Sequence, residues 1–150
     1  MSLQSFYWYE EGRVLFVEAS NASPNQVLLT DTLMNSLMDR LTHPTLHVIA
    51  DWSEVRLTPD LRFLTQKITY PKHPKYGWTV VVGLPSPLAF MMSITNQFFR
   101  TPVKHVPSIQ DAVNFLKAGG AGCQQLPYKP LAELPLLAII HEERIEWVSR

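Results

Sequence analysis

The chain has 150 residues, with thirteen lysines and arginines set against thirteen aspartates and glutamates, and 46% of its residues are hydrophobic. That length buries a core without covalent staples, and the neutral balance removes the cationic field expected of a nucleic-acid or anionic-membrane binder, so no nucleic-acid partner is expected. A single cysteine, Cys123, excludes an intrachain disulfide and a cysteine-rich zinc site.

The opening MSLQSFYWYEEGR has no basic stretch followed by an apolar run, and no segment approaches the ~18 apolar residues of a membrane span. A soluble, cytoplasmic protein without a membrane span is expected. Residues 5–9 and 13–19 are aromatic and β-branched and flank Glu10-Glu11-Gly12, which predicts an antiparallel hairpin with a positive φ at the glycine. The second strand carries consecutive apolar residues, as strands covered on both faces do. Ser23-Pro24-Asn25-Gln26 then supplies a cap, a first-turn proline and a capping-box glutamine. Val27, Leu33, Met34, Leu37, Met38 and Leu41 recur at helical spacing, and His43-Pro44 ends the helix.

Residues 46–50, LHVIA, are short, apolar and bounded by turns, which suits a central parallel strand. Beyond Asp51-Trp52-Ser53 the chain reaches Thr58-Pro59-Asp60, a second cap-and-proline start, with Leu61, Leu64, Thr65 and Ile68 on the inner face of a helix. Residues 70–77 read as a loop and 78–82 as a buried strand. Ser86-Pro87 starts a third helix, 87–99, whose apolar residues cover an arc of roughly 200° where an amphipathic helix shows about 100°. Residues 103–106 form a last short strand, and Ser108 caps a helix over 109–118 that Gly119-Gly120 terminates. The order is β-β-α-β-α-β-α-β-α, an α/β mixed sheet with right-handed crossovers, occupying 1–118. Residues 119–150 are a C-terminal extension, open to being a strand, a docked helix or an arm, and packed on the domain or on a second subunit.

The phrase VIADWSEV, a proline-started helix, and WTVVVGLPSPLAFMMSITNQFFRTPVKHVPSIQDAVNFLKA together resemble the STAS (anti-sigma-factor-antagonist-like) superfamily, in its SpoIIAA-like branch. The resemblance spans roughly residues 4–118. It implies a small sheet with helices and a functional rim between the third strand and the second helix, where regulatory members carry a phosphorylatable serine in an Asp-Ser-Ser-Gly-like motif. Here the matching stretch reads Arg56-Leu57-Thr58-Pro59-Asp60, which lacks that motif. The branch is also similar to lipid carriers of the CRAL-TRIO type, implying a small apolar or lipid-like ligand as an alternative.

Candidate ligand or phosphorylation positions at the rim are Asp51, Ser53, Thr58 and Ser86, at strand carboxyl ends or helix starts where open α/β sheets bind ligands. Each residue also has a plain role as a cap or turn-former. Phe90, Met91, Ile94, Phe98 and Phe99 of the apolar helix are candidates for a homodimer contact or an apolar ligand, unless the sheet and tail cover them. His47 and Asp51 share a strand face but lie ~13 Å apart, beyond the reach an acid–base pair needs. His43, His73, His105 and His141 show no metal spacing. Arg56, Arg62, Lys67, Lys72, His73 and Lys75 form a basic run, either a solvated face or a dock for an acidic partner. Nucleotide-loop and nucleophile-elbow motifs are missing from the sequence. The expectation is a non-enzymatic regulatory or protein-interaction domain, homodimeric through 87–99 or the tail, without catalytic residues, metal or cofactor.

Overall fold

A computed structural model describes residues 3–56, 63, 66–83, 102–119 and 123–148. Among the described residues, seven strands form one mixed sheet: β1 (Gln4–Glu10), β2 (Val14–Glu18), β3 (Leu46–Asp51), β4 (Tyr76–Val82), β5 (Val103–Val106), β6 (Leu136–Ile140) and β7 (Ile145–Trp147). Their spatial order is β5-β4-β3-β2-β1-β6-β7. Strands β2 to β5 run parallel, while β1, β6 and β7 extend the sheet by antiparallel pairing. The apolar LHVIA strand lies between two parallel neighbours, as its composition suggests.

Alternation of side chains divides the core between the two faces. Phe6, Trp8, Leu15, Val48 and Ala50 meet Leu33, Met34, Leu37 and Met38 of α1 (Pro24–Arg40) on one face. Tyr9, Val14, Phe16, Ile49, Val80 and Val82 meet Ala112, Val113 and Leu116 of α2 (Ile109–Ala118) on the other. β2 is therefore buried from both sides, which its consecutive apolar residues require. The capping box at α1 forms as read: Gln26 N–H donates to Ser23 Oγ at 3.1 Å and Ser23 N–H to Gln26 Oε1 at 3.0 Å. Gly12 takes φ +77° in the hairpin turn. Phe63, Gln66 and Lys67 are helical within the second predicted helix.

The stretch expected to be a loop, 70–77, holds a 3-10 turn (Tyr70–Lys72), and β4 begins two residues earlier than the apolar run suggested. The extra residues belong to an irregularity in the β3–β4 ladder: Leu46 pairs with Tyr76 but Val48 pairs with Thr79. His47 fills it. Its Nδ1 accepts the Trp78 N–H at 2.9 Å, and a Cβ on Gly77 would stand 2.5 Å from that same atom. The glycine is thus needed for close approach and leaves room for a buried histidine to serve a stranded backbone donor.

The tail resolves into a strap and a strand pair. Cys123, Leu126 and Leu134 are buried against the α2 face. The Tyr9 hydroxyl donates to the Pro127 carbonyl at 2.6 Å and accepts the Lys129 N–H at 2.7 Å, fastening the strap to β1. Pro135 O receives the Trp8 N–H at 3.0 Å, and β6 then pairs with β1, burying Ala138 and Ile140 in the α1-side core. Of the conformations left open for this segment, strand is the one adopted, within the same sheet.

Candidate functional site

The four parallel strands point their carboxyl ends to one rim, at Glu18, Asp51, Val82 and Val106. Here β3 gives way to a turn built by Asp51. One carboxylate oxygen, Oδ1, accepts both the Ser53 N–H at 3.0 Å and the Ser53 hydroxyl at 2.7 Å, closing an Asx turn. Neighbouring strands hold the backbone: Ala19 N–H donates to Asp51 O and Trp52 N–H to Val82 O, both at 2.9 Å. Val55, buried, anchors the far side of the turn.

Two contacts from distant sequence complete it. The Arg56 N–H donates to Asn21 Oδ1 at 2.7 Å, and the Arg56 guanidinium folds back onto the Ser53 carbonyl at 2.7 Å and the Val55 carbonyl at 3.2 Å. Gly83, at φ +71°, lies under the turn; a Cβ there would be 3.1 Å from Ser53 Cβ. The left-handed backbone and the tight approach both demand glycine. Ser53 and Arg56 are exposed and Asp51 is half-buried.

Behind the turn, Glu18 is the register partner of Asp51 on β2. The Tyr7 hydroxyl donates to Glu18 Oε1 at 3.1 Å, and burial, then the Glu18 charge, pushes the Tyr7 phenol above its ordinary value. Ser53 gives its hydroxyl proton to the Asp51 carboxylate, and among the described residues no histidine is bonded to either. The pair can present a hydroxyl and a carboxylate to a partner.

Of the residues singled out by sequence, Asp51 and Ser53 meet in this turn. Thr58 and Ser86, and the apolar set Phe90, Met91, Ile94, Phe98 and Phe99, lie outside the described residues. The basic run is partly engaged: Arg56 binds its own turn, His73 Nε2 contacts Asp39 Oδ1 at 2.8 Å, and Lys75 Nζ donates to the Leu41 carbonyl. Asn21, Gly83, Tyr7 and Glu18 were not found by sequence reading. Asn21 is 35 residues from Arg56, so no local spacing signals their contact.

The remaining polar candidates have other surroundings. Burial pushes the Cys123 thiol up, away from thiolate character, with Arg13 opposing. His105 Nδ1 is buried without a hydrogen-bond partner among the described residues, and burial, then Lys104, lowers its basicity. No group of three histidine, cysteine or carboxylate side chains that could hold a metal ion occurs among the described residues. No described helix is long and apolar enough to cross a membrane. In comparisons with known proteins, no family model and no curated protein matches this chain.

Proposed function

We propose that this chain is a non-enzymatic, STAS-like regulatory or protein-interaction domain of the cytoplasm, which meets its protein partner at the rim formed by Asp51, Ser53 and Arg56. The observation that carries the reading is the exposed Ser53 hydroxyl, held by Asp51 at the carboxyl end of a central parallel strand. Support comes from the β-β-α start, the parallel run β2 to β5 and the helix after β5. The C-terminal β6 and β7 are additions to the order expected of that superfamily.

The same geometry suits control by phosphorylation at Ser53. A phosphoryl group there ends the donation to Asp51, sets two anions side by side, and brings phosphate oxygens to the exposed Arg56 guanidinium. The turn is then expected to exchange the hydrogen bond from the Ser53 hydroxyl to Asp51 for an arginine–phosphate pair. Mass spectrometry of the protein from its native cells, covering Ser53 and Thr58, tests this. Unmodified peptides in every growth condition, together with partner binding unaffected by Ser53→Asp, would remove the rim from the proposal. A second reading, carriage of a small apolar or lipid-like ligand, rests on the apolar arc of 87–99 in the sequence. Native mass spectrometry of the purified chain showing no co-purifying lipid would end it.

A further inference from the structure

Among the described residues the sheet ends at β7, and none of them pairs with its outer edge. Successive residues of an antiparallel strand turn their N–H and C=O groups alternately to one neighbour and away from it. His141 N–H donates to Arg144 O and Val148 N–H to Leu137 O, both at 2.9 Å. With the β6–β7 register, these bonds direct the backbone groups of Arg144, Glu146 and Val148 toward β6. Ile145 and Trp147 therefore turn theirs outward. Trp147, over which Arg40 of α1 places its guanidinium 5.9 Å from the ring centroid, is 40% exposed. Arg144 and Glu146 project from the opposite face, 3.7 Å apart, with Glu146 also contacted by His141 Nε2 at 2.7 Å.

We propose that β7 is the contact edge of a homodimer, in which two copies pair this strand antiparallel about a two-fold axis at Ile145. The outward backbone groups permit three symmetric registers. An axis at Glu146 sets the two Glu146 carboxylates directly opposite each other, and like charges in that position are destabilising. An axis at Trp147 sets Glu146 against Val148. An axis at Ile145 sets Arg144 of each copy against Glu146 of the other, in the closer, non-hydrogen-bonded kind of cross-strand pair. In that register the Ile145 side chains meet on the α1 face, flanked by Trp147. The charge order along the edge is complementary to itself, which selects a second copy over an unrelated peptide. A ladder this short makes a weak, concentration-dependent dimer that salt loosens further. The inference is independent of the regulatory reading, since a monomer overturns it and leaves the rim untouched.

Sedimentation velocity of the full chain over a concentration series tests it, with circular dichroism as the check on folding. The wild type should dimerise reversibly, Arg144→Glu should weaken association roughly tenfold or more, and Arg144→Glu with Glu146→Arg should restore it. Hydrogen exchange supplies a second readout that needs no variant: the outward amides of Ile145 and Trp147 should gain protection as concentration rises. A monomer at every concentration, a dimer indifferent to Arg144→Glu, or exchange at those two amides that ignores concentration would each overturn the proposal.

Discussion

A single imidazole bridges the one break in register of the β3–β4 ladder. His47 turns its Nδ1 to the Trp78 N–H, and the space it uses exists because residue 77 has no side chain. Gly77→Ala brings a methyl within 2.5 Å of Nδ1 and 2.6 Å of Thr45 Cγ2. His47 is buried whereas Thr45 is exposed, so it is the imidazole that cannot yield freely, and the variant is expected to lose about 1–3 kcal/mol, read as a lower urea midpoint with unchanged slope. An unchanged midpoint would mean the imidazole moves aside without cost. The sequence places His47 on a strand, as observed, while its bond to Trp78 depends on a bulge that periodicity does not encode. At the rim the reverse applies: Asp51 and Ser53 are two residues apart, and Asx-turn chemistry is local enough to be seen in the string of letters.

Among the elements, the 3-10 turn Tyr70–Lys72 shows how a stretch with loop composition can be firmly held. Asp31 of α1 accepts the N–H groups of Thr69 and Tyr70 through Oδ1, each at 2.8 Å, and the Thr69 hydroxyl through Oδ2. The Tyr70 ring then meets Tyr76 of β4 edge-on, centroids 5.4 Å apart. Burial pushes the Tyr76 phenol up to about 12 from 10.0, and burial also raises Tyr70, aided by the negative charge of Tyr76 and Asp31. A phenol that resists ionising when folded stabilises the fold fully below its unfolded value. As pH rises from 10 toward 12 the unfolded chain loses these protons first, and stability falls, by roughly 3 kcal/mol at most from Tyr76. Urea midpoints should therefore hold below pH 10 and drop above it, and Tyr76→Phe should flatten that limb. A limb unaffected by the substitution would show that Tyr76 is not its origin. The prolines that read as loop signals in 70–77 were correct about the absence of a long helix or strand at its start. They carry no information about Asp31, 38 residues away, whose carboxylate holds the turn.

For the molecule as a whole, the C-terminal segment determines where the sheet ends. β6 lies between β1 and β7 and contributes Ala138 and Ile140 to the core that α1 closes. A chain ending at residue 135 leaves β1 with an unpaired edge and opens the interior around Phe6. Exposed apolar edges of this kind associate, so the shortened protein is expected to aggregate or lose its cooperative thermal transition, observed by size-exclusion chromatography and circular dichroism. A monomeric, cooperatively unfolding product would show the sheet complete without β6.

Capped helices, the hairpin and the apolar central strands were legible in the sequence because each depends on residues within a turn or two of one another. Ser23 and Gln26 satisfy α1 by themselves, and the consecutive apolar residues of β2 announce burial on both faces. The tail was not legible in the same way. Its prolines and its LLAII run fit several conformations, and the choice rests on Tyr9, more than a hundred residues earlier, offering one hydroxyl to both Pro127 and Lys129. The rim was half visible for the same reason: Asp51 and Ser53 are neighbours in sequence, whereas Asn21 and Gly83 reach the turn only after β2, β3 and β4 align. By itself, then, the sequence determined the hairpin, the two capped helices α1 and α2, the central strands between them and the general α/β class, since hydrophobic period and capping are short-range. Strand order, the place of the tail in the sheet and the outward-facing edge of β7 were decided only in the tertiary structure, because they depend on pairing between backbone groups far apart in the chain.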